Sequence, residues 1–132
     1  MHLKVITHEN TVFDEHVNEI YLKGIDGEFG VLEGHEPIMA SLGIGITKIV
    51  KDNDVKLFTT MGGIFQLKDG QAIILANAGE FGEDIDVARA EQAKARAQAR
   101  LAEVTAQIDA KRAEAALARA MARLKAAMKN KS

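Results

Sequence analysis

The sequence contains no cysteine, no tryptophan and only one proline, and it lacks a long apolar run. Without cysteine, disulfide bonds and thiolate chemistry are excluded, which is consistent with a cytoplasmic protein. No run of roughly 18 or more apolar residues predicts a membrane-spanning helix. The opening residues, MHLKVITHEN, do not have the basic and then apolar pattern of a signal peptide. At 132 residues we therefore expect one domain, or one domain with an appendage.

Motifs for catalysis and metal binding are missing as well. No G-x-S-x-G motif predicts a serine hydrolase. The glycines between Gly24 and Gly34 are not followed by G-K-[ST], so they indicate hairpin turns and not a phosphate-binding loop. The four histidines have neither the spacing nor the acidic partners of a zinc site, so no metal is predicted.

Charge and composition divide the chain in two. Residues 1–83 carry six lysines and 13 acidic residues, whereas residues 84–132 carry 11 basic and six acidic residues, so the net charges are −7 and +5. All 11 glycines, Pro37 and every aromatic residue lie at or before Gly82. We predict a domain boundary here, with one domain over residues 1–83 and a second element over residues 84–132.

The first segment has the pattern of a β-domain. Short β-branched or aromatic runs such as VNEIYLKG, VKLFTT and QAIILANAG alternate with turn residues. Strands that recur about every 8–12 residues, without helical crossovers, predict an antiparallel sandwich or barrel and not a parallel sheet. The predicted core residues are Val5, Ile20, Leu22, Val31, Leu32, Ile49, Leu57, Phe58, Ile64, Phe65, Ile73 and Leu75.

The second segment predicts two helices, because alanine has the highest helix propensity and Arg, Lys, Gln and Glu follow closely. Asp84 and Asp86 stand where acidic residues favour a helix N-terminus, and a break is expected near VTAQIDA, residues 104–110. An apolar stripe after the break is expected to pack against Leu101, Val104 and Ile108; its members are Leu117, Met121, Leu124 and Met128. The predicted fold is thus an N-terminal antiparallel β-sandwich followed by a C-terminal two-helix antiparallel hairpin.

This hairpin has the properties of a moving part. Its faces are mostly alanine, which contributes much less on burial than the about 1.5–3 kcal/mol of a leucine or methionine. Each helix is longer than the roughly 12–15 residues needed for marginal helicity in isolation. The hairpin can therefore leave the sandwich without unfolding, as a conformational switch requires.

Arginine occurs only in the second segment, with the same i, i+7, i+11 spacing in both helices. One interpretation is two solvated charged faces. A second is that the folded hairpin brings guanidinium groups together into an anion site, and a third is an acidic protein partner for the extended helices. The two sets are Arg89, Arg96 and Arg100, and Arg112, Arg119 and Arg123.

Two motifs, GEFGVLEGHEPIMASL at residues 27–42 and EDIDVARA at residues 83–90, carry a resemblance to a known family. Together with the alanine-rich hairpin they resemble the epsilon subunit of bacterial F-type ATP synthase, over essentially the whole chain. Glu33 departs from the family's pattern, since a proline is usual there. The family's glycine, histidine and proline signature is matched at Gly27, Gly30, Gly34, His35 and Pro37.

The resemblance implies a non-catalytic subunit with a ten-stranded β-sandwich on the central rotor, in contact with the gamma subunit and the ring of c subunits. Extended along gamma, its hairpin blocks ATP hydrolysis and meets the acidic C-terminal region of the catalytic beta subunits; folded against the sandwich, it permits turnover. It further implies a peripheral position at the cytoplasmic face of the cell membrane, without direct membrane insertion. By resemblance only, His35 faces gamma and Glu28 faces the c ring.

Some members of this family also bind ATP as a regulatory ligand in the folded-down form. Their I/L-D-x-x-R-A motif is present here in residues 85–90 and is accompanied by an upstream glutamate and two arginines of the second helix. The resemblance implies that these arginines hold the phosphates, that the acids accept hydrogen bonds from adenine or ribose, and that the alanine leaves room for the base. The matching positions are Glu80, Ile85, Asp86, Arg89, Ala90, Arg119 and Arg123.

Two other functions stay open at this point. A stand-alone ATP sensor would bind nucleotide without affinity for gamma, but the signature around Gly34 and His35 argues against it. A nucleic-acid-binding adaptor would use the basic helices, but they contain no aromatic residue for base stacking and the acidic domain would repel phosphates. Hydrolysis of ATP by this chain is not expected, because no magnesium-binding and water-activating residues accompany the arginines.

Overall fold

The computed structural model describes residues 1–8, 10–103 and 107–130, with the backbone alone at positions 107, 108, 129 and 130. A strand-rich domain is followed by two antiparallel helices, which confirms the predicted fold class. The strands are β1 (His2–Thr7), β2 (Asn10–His16), β3 (Glu19–Gly24), β4 (Gly27–Leu32), β5 (Ile38–Lys51), β6 (Asp54–Lys68), β7 (Gln71–Ala76) and β8 (Gly79–Phe81). A 3₁₀ turn (Gly82–Asp84) leads to the helices α1 (Val87–Glu103) and α2 (Gln107–Asn130).

The strands form one sheet in the order β2-β1-β7-β6-β5-β3-β4, with β8 also paired to β6. Leu3 and Phe13 from one end of this order share a core with Leu22 and Val31 from the other end. The sheet must therefore fold over itself, and the result is a sandwich. One pair departs from the antiparallel prediction, because β1 and β7 are parallel. No helix is needed between them, since the five intervening strands bring the chain back.

Two long strands explain why the described residues contain eight strands where the resemblance implied ten. β5 and β6 have 14 and 15 residues, and their pairing skips Gly43 and Gly62. Gly62 and Gly63 have φ angles of +81° and +136°, and a Cβ on Gly63 would lie 2.1 Å from the carbonyl oxygen of Leu75. These glycines let each long strand bend and continue from one layer into the other, as strands do at the corners of sandwiches.

The alternation of side chains in each strand decides which predicted core residues are buried. Most of them are, but Leu32, Ile64 and Leu75 were wrong: their side chains are 51%, 45% and 48% exposed. Each is adjacent in sequence to a residue that faces the core, and successive residues of a strand point to opposite faces. Ile73 is half-buried for the same reason, and Ile74 faces the core instead.

The strand β6 is an exception to this alternation, because the five successive residues 57–61 are all buried. Phe58 belongs to the core of the sandwich. Leu57 and Thr59 point the other way, and Leu57 lines a cavity together with Lys125 of α2, which packs against β6. This part of β6 is thus a wall shared by the sandwich and the helical hairpin.

The helices pack through alanine more than the predicted apolar stripe suggested. Ala90 and Ala97 are the buried residues of α1, and α2 buries Leu124 with several alanines, three of them seven residues apart at positions 113, 120 and 127. Met121 and Met128 of the predicted stripe are 51% and 66% exposed, so their predicted packing was wrong. Small alanine side chains let the helices approach closely and leave the long methionines outside. Of the expected partners, Leu101 is half-buried, whereas Val104 and the side chain of Ile108 lie outside the described residues.

Candidate functional site

A polar cleft lies where the sandwich, the junction and both helices meet. Its volume is about 570 Å³, within the range of roughly 300–1,000 Å³ usual for small-molecule sites. Of the described residues, those that line it are Glu80, Asp84, Ile85, Asp86, Arg89, Ala90, Ala93, Arg96 and Arg123. They come from β8, the 3₁₀ turn and its continuation, α1 and α2, so every part of the junction borders the cleft.

The start of α1 arranges the junction side of the cleft. The Oδ1 atom of Asp86 accepts a hydrogen bond from the backbone N–H of Arg89 at 3.1 Å, and its carbonyl accepts one from Ala90 at 3.0 Å. Asp86 is therefore the N-cap of α1. Arg89 lies in the first turn and Arg96 two turns later on the same face, so both long side chains reach one cleft.

An ion pair joins the cleft to α2. The Nε atom of Arg123 donates to Oε1 of Glu80 at 2.9 Å, with side chains 30% and 42% exposed. Partly exposed pairs contribute about 0–1 kcal/mol, because water screens them. The contact holds α2 against β8 with modest strength, which suits a reversible attachment.

The charges of the cleft are mixed. Three guanidinium groups come from two helices, and they favour an anion through charge-assisted, bidentate hydrogen bonds. The carboxylates of Glu80, Asp84 and Asp86 line the same space and accept hydrogen bonds from amine or hydroxyl groups. The cleft therefore offers partners both for an anionic group and for the hydrogen-bond donors of a ligand.

Most of the residues that the sequence singled out lie together here. Glu80, Asp86, Arg89, Ala90 and Arg123 all line the cleft, and Ala90 is buried, at 3% exposed. Arg119, one turn before Arg123, is half-buried and lies outside the set of lining residues.

Three lining residues were not among the predicted ATP-binding positions: Asp84, Ala93 and Arg96, of which only Arg96 had been considered for an anion site. Its position seven residues after Arg89 was the available signal, because that interval returns to the same face of a helix. The interval alone does not show which arginine of α2 lies close to Arg96.

The two predicted subunit contacts lie elsewhere. Glu28 is exposed on β4 and lines a second cavity of about 430 Å³ under Lys125 of α2. His35 is exposed after β4, where its backbone N–H donates to the carbonyl of Leu32 at 3.1 Å. Glu33, the departure from the family pattern, accepts a hydrogen bond from the N-terminal ammonium group of Met1 at 2.7 Å, and this contact holds the pKa of the carboxyl below its ordinary value of 4.5.

One face of the sandwich carries an exposed apolar patch. Ile64 of β6 and Leu75 of β7 are paired across the sheet, and Met39 on the adjacent strand is 67% exposed. Ile6 of β1 pairs with Leu75 from the other side. A contiguous apolar patch on a surface is typical of a protein-binding site.

Neither a metal site nor a membrane-spanning helix is found within the described part of the chain. Residues 1–8, 10–103 and 107–130 contain no cluster of three or more His, Asp or Glu side chains suited to a metal ion. No helix in the same residues is long and apolar enough to cross a membrane.

Comparisons with known proteins cover both parts of the chain. Residues 1–82 match the family model described as ATP synthase, Delta/Epsilon chain, beta-sandwich domain, and residues 83–128 match the long alpha-helix domain of the same chain. The ATP synthase epsilon chain of Pelotomaculum thermopropionicum is 46% identical over 103 residues, which are 78% of this chain and 77% of that one. The epsilon chain of Desulforudis audaxviator is 42% identical over 100 residues, 76% of this chain and 73% of that one.

Solved structures share the fold at lower identity. A chain of the Euglena gracilis mitochondrial ATP synthase superposes with a TM-score of 0.82 at 24% identity, covering 96% of this chain and 79% of that chain. A chain from the central stalk and c-ring of the Tetrahymena thermophila mitochondrial ATP synthase gives a TM-score of 0.66 at 14% identity, covering 96% and 95%.

Proposed function

Because the chain belongs to the ATP synthase delta/epsilon family and is a non-catalytic epsilon subunit of the central stalk, we propose that its hairpin regulates ATP hydrolysis and that ATP binds in the junction cleft. The carrying observation is that Arg89 and Arg96 of α1, Arg123 of α2 and Glu80 of the sandwich line one cleft. A ligand there contacts all of them only while the hairpin is folded down.

Binding to one form of the hairpin is sufficient for regulation. A ligand that binds the folded-down form alone stabilises it by about 2.7 kcal/mol when its concentration is 100 times the dissociation constant. ATP is the ligand that fits the cleft, since its triphosphate matches three guanidinium groups and its ribose and adenine amine carry the hydrogen-bond donors. High ATP thus favours the folded-down form, and low ATP releases the hairpin.

The released hairpin needs an acidic partner. Residues 84–132 carry a net charge of +5, opposite to the −7 of residues 1–83. In the assembled enzyme we assign this partner role to the acidic C-terminal region of the catalytic beta subunits, where the extended helices block hydrolysis. Electrostatic attraction of this kind speeds association and orients the partners.

The sandwich supplies the permanent attachment. Its exposed apolar patch around Ile64 and Leu75 suits the gamma subunit, whereas Glu28 and His35 are assigned to the c ring and to the edge of the gamma contact. The chain is then peripheral, at the cytoplasmic face of the cell membrane, in an enzyme driven by protons or sodium ions.

Titration calorimetry of ATP into the purified chain tests the nucleotide site. We expect saturable one-to-one binding, weakened roughly 10- to 100-fold by Arg89→Ala or Arg123→Ala, which is the range for losing a hydrogen bond to a charged group. Arg112→Ala is the matched control, because Arg112 is exposed on α2 and does not line the cleft. Equal weakening by all three variants, or no binding by the unmodified chain, would contradict the site.

A second pair of variants separates the geometry from the family pattern. The structure predicts a larger loss of ATP affinity for Arg96→Ala than for Arg119→Ala, since only Arg96 lines the cleft. In the assembled enzyme, Arg123→Ala should keep hydrolysis inhibited at ATP concentrations that release the unmodified enzyme. Salt-sensitive binding to random DNA, with no effect on hydrolysis, would instead support a nucleic-acid adaptor.

A further inference from the structure

Thr59 lies beneath the junction and is completely buried on β6. Its hydroxyl Oγ1 accepts a hydrogen bond from the backbone N–H of Glu80 at 3.0 Å and donates one to the carbonyl of Glu80 at 3.1 Å. Both polar backbone groups of Glu80 are thus bound to one side chain of the sandwich.

The strand that carries Glu80 is short. β8 has three residues and, among the described strands, pairs with β6, through Phe58, Thr59 and Thr60. Gly79 brings the two backbones close together, since a Cβ there would lie 2.3 Å from the carbonyl oxygen of Thr59. The two hydrogen bonds of the threonine hydroxyl fix the backbone of Glu80, and the ring of Phe81 beside it packs against Phe13 and Phe58.

The carboxylate of Glu80 links β8 to α2. It accepts the hydrogen bond from Nε of Arg123. Among the described residues no other hydrogen bond or ion pair involves that guanidinium group, so its terminal nitrogens are available to a ligand in the cleft. A continuous set of contacts runs from Thr59 through Glu80 to Arg123.

We propose that Thr59 is a positioning residue of the junction cleft, which orients Glu80 so that Arg123 faces an anionic ligand and α2 stays against the sandwich. This inference rests on the proposed ATP site and adds a residue that does not touch the ligand. The sandwich is then part of the sensor as well as its support.

Thr59→Val and Thr59→Ser test this role. Valine keeps the shape of threonine and removes the hydroxyl, whereas serine keeps the hydroxyl. We expect Thr59→Val to weaken ATP binding roughly tenfold, as loss of one partner of a buried hydrogen bond does, and Thr59→Ser to bind within about threefold of the unmodified chain. Equal affinities for the valine variant and the unmodified chain would overturn the proposal.

Thr60→Val controls for a general loss of sandwich stability. Thr60 is the next residue and is 3% exposed, but its hydroxyl bonds that of Thr47 at 2.6 Å and does not contact Glu80. We expect it to lower the melting temperature without weakening ATP binding. If Thr60→Val weakens ATP binding as much as Thr59→Val, the effect is one of stability and the positioning role is wrong.

A double-mutant cycle with Glu80→Gln identifies the route of the effect. If Thr59 acts through Glu80, the valine substitution has little further effect on ATP affinity in the glutamine background. Full additivity of the two substitutions would refute that route.

Amide hydrogen exchange of α2, measured without nucleotide, separates this inference from the proposed function. Faster exchange in Thr59→Val, but not in Thr60→Val, supports positioning even if the unmodified chain fails to bind ATP. Unchanged exchange of α2 in Thr59→Val would overturn it whatever the nucleotide result.

Discussion

Replacing Ala97 by leucine should loosen the hairpin, although the substitution leaves the charges of the cleft untouched. Ala97 is 2% exposed on the face of α1 that packs against α2. Leucine adds three carbons where the helices are in close contact, and such overpacking costs about 1–3 kcal/mol. Alanine and leucine have similar helix propensities, so the cost falls on the helix–helix contact and not on α1 itself.

A weaker contact between the helices should also lower the apparent affinity for ATP. If ATP binds only the folded-down hairpin, its apparent dissociation constant rises in inverse proportion to the folded-down fraction. A loss of 1–3 kcal/mol lowers the ratio of folded-down to released hairpin by a factor of about 5 to 160. Calorimetric titration of ATP measures the affinity, and hydrogen exchange of α2 measures the release independently.

Ala99→Leu is the matched control for this experiment. Ala99 is only two residues away on the same helix, but it is exposed. The same leucine there should change neither ATP affinity nor exchange. If both variants behave alike, the alanine contact does not hold the hairpin and the reasoning fails.

Two further predictions concern the sandwich. Ile74→Ala should lower the free energy of unfolding by about 2–5 kcal/mol, because it leaves a core cavity. Leu75→Ala on the exposed face should change the free energy of unfolding by about 0.5 kcal/mol or less. Chemical denaturation measures both values, and equal losses would contradict the register of β7. The hydrogen bond from Lys51 holds the pKa of the Glu15 carboxyl below its ordinary value of 4.5, so the pair stabilises the folded chain above that pH and the contribution is lost as the pH falls through the lowered pKa. Thermal melts of Glu15→Gln should accordingly show a lower melting temperature than the unmodified chain at pH 7 and a difference that shrinks as the pH falls through the lowered pKa, and a difference that stays constant in acid would refute this assignment.

The order of the fold was predictable, but the register of its strands was only partly so. The absence of glycine and aromatic residues from the second segment, together with its alanine-rich composition, indicated the change from strands to helices. Runs such as AIILA contain apolar residues at every position, so they do not show which set faces the core. The structure assigns Ile74 inward and Leu75 outward because β7 pairs with β1 and β6 in one register, and that pairing is a long-range choice.

The candidate site shows the same division between local and long-range information. Asp86, Arg89 and Ala90 lie within one helical turn, so their proximity followed from the motif alone. The contribution of α2 depends on how the two helices are aligned. That alignment brings Arg123 to Glu80 and leaves Arg119 outside the cleft, and it is set by buried alanines that a search for large apolar side chains does not reveal.

The shared wall at residues 57–61 has a consequence for how this chain tolerates change. An ordinary surface strand tolerates substitution at every second position at little cost, whereas here all five successive residues are buried. A substitution in this stretch is therefore expected to alter the stability of the sandwich, its contact with the hairpin, or both. Over this short stretch of β6, neither face is free to vary as the solvent-exposed face of a surface strand is.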